Sequence, residues 1–185
     1  MSWPNIITVA RIVSVPVIVW LIITGQRQAA FLLFIAAGVS DGIDGFLAKR
    51  FNRQTELGAY LDPIADKALL VSIYVALGIG GGLPSWLVIL VVSRDILIVG
   101  AVMLSWMMDR PVRVAPLMVS KINTAAQIVL AGVVLAHLGY DIVPEGVISL
   151  GTYVVAGFSV ASVIAYLGEW FRHMANGDHP PERIE

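Results

Sequence analysis

Residues 29–48, AAFLLFIAAGVSDGIDGFLA, and residues 58–80, GAYLDPIADKALLVSIYVALGIG, decide how this chain folds. Each has the roughly 20 mostly apolar residues that a helix needs to cross a bilayer. Each also carries charge where a lipid-facing helix should have none: Asp41 and Asp44 in the first, Asp62, Asp66 and Lys67 in the second. A charge at the centre of a membrane helix costs about 2.5–3.5 kcal/mol on insertion scales. Four carboxylates at mid-bilayer would cost on the order of 10 kcal/mol. Placing the groups near the membrane surface lowers that cost, and so does binding cations. The pattern points to both.

Working outward, four more apolar stretches run near 5–24, 84–107, 118–138 and 147–171. The chain is 58% hydrophobic and only 14% charged, where a soluble domain has roughly 45–50% apolar and about 25% charged residues. The expected fold class is therefore all-α: a polytopic membrane protein with six transmembrane helices. Residues 1–172 would form one membrane domain and residues 173–185 a polar tail. Short connections imply that successive helices are antiparallel neighbours in a bundle. The first stretch lacks a basic start and a small-residue cleavage site, so it reads as a retained helix rather than a signal peptide. A net charge of −1 gives no hint of nucleic acid as a partner. The absence of cysteine excludes disulfides and thiolate metal sites.

Orientation follows from the basic residues. Lys49, Arg50 and Arg53 follow the second stretch, Arg110, Arg113 and Lys121 lie around the fourth connection, and Arg172 and Arg183 follow the sixth stretch. With six spans all of these share one side, and the opposite connections carry only Arg27. The positive-inside rule then puts both termini and the acid-bearing ends in the cytoplasm, as in a bacterial inner membrane. Trp3, Trp86, Trp106 and Trp170 fall near the expected boundaries, as interfacial anchors do.

The spacing of the acids carries the chemistry. Asp41 and Asp44 are three apart and Asp62 and Asp66 four apart, so each pair shares a helical face. Four oxygen ligands with no His or Cys among them suit a hard cation such as Mg²⁺ or Mn²⁺. Asp41 and Asp62 can bridge two ions, with Asp44 and Asp66 completing the shells. Gly42, Gly45 and Gly58 leave room for a ligand to approach the backbone. Lys49, Arg50 and Arg53 follow at once, which makes a pyrophosphate site plausible in charge. A competing reading pairs the acids with Lys67 or Arg94 as structural salt bridges and gives the glycines to close helix packing.

The run Asp41-Gly-Ile-Asp44-Gly45-Phe-Leu-Ala48-Lys49, then eight residues, then Gly58-Ala-Tyr-Leu-Asp62-Pro-Ile-Ala-Asp66 resembles the signature of the CDP-alcohol phosphotransferases. Lys49 is the one departure. It stands where the family usually has Arg, keeping the charge without the planar fork, and Arg50 lies one residue later. The resemblance implies a six-helix membrane enzyme that works as a homodimer. It further implies that Asp41, Asp44 and Asp62 hold one metal, and Asp41, Asp62 and Asp66 a second. Gly45, Ala48 and Gly58 would line the cytidine site, and Asp66 would also act as general base on the acceptor hydroxyl.

The likeness extends over roughly residues 4–127. Pro4-Asn5-Ile-Ile-Thr8-Val-Ala-Arg11 resembles the opening of bacterial phosphatidylglycerophosphate synthases and related cardiolipin synthases. Asn5, Thr8 and Arg11 could reach the CDP-lipid headgroup, with Lys49 also at that site, although Arg11 can equally snorkel to the interface. Ser93-Arg94-Asp95 and Ser120-Lys121-Ile122-Asn123-Thr124 with Gln127 look closer to cardiolipin synthases of mitochondrial type. Arg94 and Lys121 are the candidates for an acceptor phosphate, and the alternative pairs Arg94 with a neighbouring acid. His137, His173 and His179 have no ligand spacing.

The expected donor is CDP-diacylglycerol and the expected products are CMP and a phospholipid. Phosphatidylglycerol, giving cardiolipin, is the first acceptor; glycerol 3-phosphate is the second. A divalent cation transporter is a different class that also uses intramembrane acids. Its sites usually lie at the midplane of repeated halves, and the second half here has no matching acidic pair. A membrane scaffold without activity is a third class, and the intact acids weigh against it.

Overall fold

Gly25 and Gly81 stop the first and third apolar stretches by the same device. Both take positive φ, 77° and 74°, which a residue without Cβ adopts freely. Around Gly25, its N–H donates to the Ile22 carbonyl, and the Gln26 N–H donates to the Leu21 carbonyl. Around Gly81, its N–H donates to the Gly78 carbonyl, and the Gly82 N–H donates to the Leu77 carbonyl. These paired bonds satisfy carbonyls that a helix end leaves open. A side chain on Gly82 would meet Leu138 and Val134 of another helix, so the same turn also allows close packing.

The computed structural model describes the backbone of residues 3–51, 56–107 and 118–176, and the side chains of 13–40, 67–100, 103 and 118–170. Its six helices are α1 (Trp3–Ile23), α2 (Arg27–Phe51), α3 (Glu56–Ile79), α4 (Ser85–Met107), α5 (Met118–Tyr140) and α6 (Glu145–Asn176). No strand occurs among the described residues. The chain is all-helical, and each helix falls on one of the six apolar stretches. α6 runs on past Arg172 to Asn176, where Gly177 is the next helix-breaking residue in the sequence.

The helices form a ring in the order α1, α2, α5, α6, α4, α3, closing back on α1, with α3 also touching α5 across the middle. This departs from the expectation that every successive pair is adjacent. Among the described residues α2 does not touch α3, nor α4 touch α5; α1 packs against both α2 and α3. The reason is reach. Residues 52–55 lie between the two helix ends, so Phe51 and Glu56 can stand up to about 17 Å apart. Packed helix axes are only about 8–10 Å apart. The connection can therefore straddle a third helix.

The core is apolar at its centre. Ile18, Leu21 and Ile22 of α1 meet Phe34 of α2, Ile73 and Leu77 of α3, and Val134 and Leu135 of α5. Toward α6 the pattern inverts. Thr152, Ser159 and Ser162 are buried, whereas Leu150, Tyr153, Val160 and Ile164 are exposed. Outward-facing apolar side chains also occur along α1 to α5, at Trp20, Leu32, Ile79, Ile89 and Val129 among others. Among the described residues, two helical segments, Met118–Tyr140 and Glu145–Trp170, are long and apolar enough to cross a membrane by length and composition.

Candidate functional site

α2 ends at Phe51 and α3 begins at Glu56, so the acid-bearing parts of both helices lie at one end of the ring. Asp44 and Asp41 stand seven and ten residues before the α2 end; Asp62 and Asp66 stand six and ten residues after the α3 start. At about 1.5 Å per residue, the pairs lie about 10–15 Å and about 9–15 Å along their helices. Each pair thus lies within about 15 Å of the helix end next to residues 52–55, on two helices that both pack against α1. Four carboxylates without nitrogen or sulfur ligands are a donor set that fits a hard divalent cation. The side chains of Asn5, Thr8, Asp41, Asp44, Ala48, Lys49, Asp62 and Asp66, and the surroundings of Gly45 and Gly58, lie outside the described residues. So do Arg53, Arg110 and Arg113. Among the described residues, no three His, Asp or Glu gather as a metal group.

One residue beyond Asp66, a charged cluster begins that is fully described. Lys67 of α3 donates from Nζ to Asp95 Oδ1 of α4 at 2.9 Å. Arg94 Nη1 donates to the same Oδ1. The Arg94 side chain is 1% exposed. Its Nη2 donates to Ser120 Oγ of α5 at 2.6 Å and to Ser162 Oγ of α6 at 2.7 Å, and its Nε donates to Ser162 Oγ at 3.2 Å. A buried guanidinium needs both a counter-charge and partners for its N–H groups. Here three helices supply them, α4 through Asp95, α5 through Ser120 and α6 through Ser162. The cluster holds two cations and one carboxylate.

A polar stripe continues from this cluster along α5. Ser120, Asn123 and Gln127 recur at helical spacing on one face. Ser159 Oγ donates to Asn123 Oδ1 at 3.2 Å. The Tyr74 hydroxyl of α3 donates to the Gln127 backbone carbonyl at 3.1 Å. Asn123 Nδ2 and Gln127 Nε2 are buried and make no hydrogen bond among the described residues.

The candidates for the acceptor phosphate separate. Arg94 faces inward to Asp95 and the serines, whereas Lys121 is exposed. Lys121 follows Ser120, so it points about 100° away around α5. His137 is tied to the α5–α6 turn, with Nδ1 2.7 Å from the Val143 carbonyl oxygen. Ser159 and Ser162 were not foreseen. A serine in an apolar stretch carries no spacing signal, and only its position opposite Arg94 and Asn123 reveals a task.

The family profile for CDP-alcohol phosphatidyltransferases matches residues 1–167. The chain belongs to this family. It is 32% identical over 184 residues to CDP-diacylglycerol–glycerol-3-phosphate 3-phosphatidyltransferase 1, chloroplastic, of Oryza sativa subsp. japonica, covering 90% of this chain and 56% of that protein. With the cardiolipin synthase (CMP-forming) of Homo sapiens it shares 34% identity over 149 residues, covering 72% of this chain and 50% of that protein. With the CDP-diacylglycerol–glycerol-3-phosphate 3-phosphatidyltransferase of Bacillus subtilis (strain 168) it shares 30% identity over 182 residues, covering 90% and 93%. The chain thus spans about half the length of the first two relatives and nearly all of the third. Within the CDP-alcohol phosphatidyltransferase match fall all six helices down to residue 167, including both acid pairs and the Arg94 cluster.

Proposed function

We propose that this protein transfers a phosphatidyl group from CDP-diacylglycerol to an alcohol, releasing CMP. The observation that carries the reading is that the chain belongs to the family and has two carboxylate pairs on the family's signature positions, each within ten residues of the α2 end or the α3 start. Asp41, Asp44, Asp62 and Asp66 would hold two ions of Mg²⁺ or Mn²⁺. When bound, such ions would neutralise the charge that develops on the phosphate of the leaving CMP as the pyrophosphate bond breaks. Asp66 takes the proton from the acceptor hydroxyl as its oxygen bonds to the phosphatidyl phosphorus and the bond to CMP breaks. Gly45, Ala48 and Gly58 give the nucleotide close access to backbone, Lys49 supplies positive charge beside the pyrophosphate, and Asn5 and Thr8 meet the lipid headgroup. By this reading residues 1–172 are a six-span membrane domain with a polar tail, 173–185. The site faces the cytoplasmic side of a bacterial inner membrane, and a second copy of the chain completes a homodimer. The outward apolar side chains on all six helices support the membrane part.

Phosphatidylglycerol is the proposed acceptor, giving cardiolipin. A singly charged lipid phosphodiester needs fewer cations than a soluble phosphate monoester. With Arg94 held by Asp95 and the serines, Lys121 is the exposed basic residue left to meet an acceptor on the described parts of α4 and α5. Arg94 then acts behind it, fixing α5 through Ser120. Glycerol 3-phosphate is the second reading, favoured by the two relatives named as glycerol-3-phosphate 3-phosphatidyltransferases, whose similarity covers 90% of this chain. Purified protein given CDP-diacylglycerol with each acceptor in turn, followed by mass spectrometry of the lipids, tests both. Faster formation of cardiolipin upholds the first reading; phosphatidylglycerol phosphate alone reverses the order. Absence of CMP release with either acceptor overturns both.

A further inference from the structure

Lys67 directly follows Asp66, and its ammonium crosses to α4 to meet Asp95, which Arg94 also grips. Behind Asp95 the chain of contacts runs through Arg94 to Ser120 and Ser162, so the carboxylate is anchored to α5 and α6 as well. The Lys67 side chain is 44% exposed and Asp95 only 12%. The fixed member is therefore the aspartate, and the lysine is what it holds.

This tie governs how α3 is rotated. Successive residues of a helix differ by about 100°. With Lys67 facing α4, position 66 lies about 100° and position 62 about 140° around the axis from it, on one side. Tyr74, two turns on and on the same face as Lys67, is bonded to α5 through the Gln127 carbonyl. Between them Leu69, Leu70 and Ile73 are buried, but apolar contacts are non-directional. The Lys67–Asp95 pair is thus the directional contact nearest the acids among the described residues. It also occupies an ammonium that stands one residue from a carboxylate.

We propose that Asp95 and Lys67 are positioning residues for the divalent-metal site: their ion pair sets the Asp62/Asp66 face of α3 and keeps the Lys67 ammonium from competing for those carboxylates. The inference rests on the metal reading above, and it makes the two halves of the pair unequal. Losing Asp95 frees α3 and releases a competing cation. Losing Lys67 only frees α3. A simple brace also makes Asp95 the heavier loss, because Asp95 pairs with the buried Arg94 as well; only a competing ammonium lets removal of Lys67 restore binding that Asp95→Asn has lost.

The test is Mn²⁺ titration of the purified full-length protein in lipid nanodiscs, without substrate, with free Mn²⁺ read by electron paramagnetic resonance. Asp95→Asn should weaken Mn²⁺ binding by about 10-fold, the low end for outer-shell partners of a metal site. Lys67→Met should weaken it by less, about 3-fold, and Lys67→Arg should stay near wild type. The double variant Asp95→Asn/Lys67→Met should recover to the level of Lys67→Met alone. A double variant as weak as Asp95→Asn, or equal affinity in all variants, overturns the proposal. If Asp95→Asn does not fold, the two Lys67 variants decide: Lys67→Met equal to wild type overturns it, and weaker binding rescued in Lys67→Arg upholds it. A wild-type protein that binds no Mn²⁺ overturns the metal reading itself, and this inference with it.

Discussion

Two regions of this protein put charge into apolar helices, and they differ in how that charge is arranged. On α2 and α3 the charged residues are spaced along their own helices, as Asp41 with Asp44 and Asp62 with Asp66. On α4 Arg94 and Asp95 are adjacent, and their further partners come from three other helices: Lys67, Ser120 and Ser162. The first arrangement presents like charges on one face, which is unfavourable unless a cation joins them. The second pairs opposite charges and fills hydrogen bonds within the protein. By the proposed function the first receives a ligand, while the second joins helices α3 to α6.

The comparison breaks most visibly on metal removal. Chelation with EDTA should abolish CMP release, and added Mg²⁺ should restore it, while the melting of the Arg94 region stays unchanged. Full activity in metal-free protein would make the acids structural, like Arg94. Next in size is Asp66→Asn, which keeps volume but loses basicity. Its turnover should fall 10²–10⁴-fold, as general-base loss does, with thermal stability close to wild type. A variant with near-normal turnover removes Asp66 from the mechanism.

Arg94→Met should show the opposite profile. It leaves Asp95 with Lys67 alone and strips both serines of their donor. Breaking a buried pair costs roughly 3–5 kcal/mol, so the loss should appear in unfolding curves, and activity should fall only with the folded fraction. Ser162→Ala is the smallest probe. It removes an acceptor from Arg94 Nε and Nη2, and about 1–3 kcal/mol of stability should go with it. If Ser162→Ala lowered turnover at full stability, the line between the two regions would dissolve. For the acceptor, Lys121→Met should raise KM for the phosphate-bearing alcohol several-fold with little change in kcat. An unchanged KM excludes Lys121 from that site.

Much of this was legible before any coordinates. Six apolar stretches became six helices, because a long apolar segment with glycine turns at Gly25 and Gly81 has few other ways to satisfy its backbone. The acid pairs stood out because both members of a pair sit on one helix, where spacing alone sets the face. Neighbour order was less legible. Connection length bounds how far apart two helices are without choosing what lies between them, so α1 beside both α2 and α3 came only from packing.

Arg94 marks the boundary between the two kinds of knowledge. By itself the sequence established that a charge sits in an apolar helix, next to Asp95, and that something must neutralise it. It could not say whether the guanidinium faces an incoming phosphate or the interior. Residue spacing along α4 is silent on that, because the deciding atoms belong to Ser120, twenty-six residues on, and Ser162, sixty-eight residues on. Hydroxyls of serine cost little to carry in any helix, so nothing in their own stretches marks them. Only the ring of helices, by bringing α5 and α6 against α4, turned Arg94 inward and left Lys121 outside.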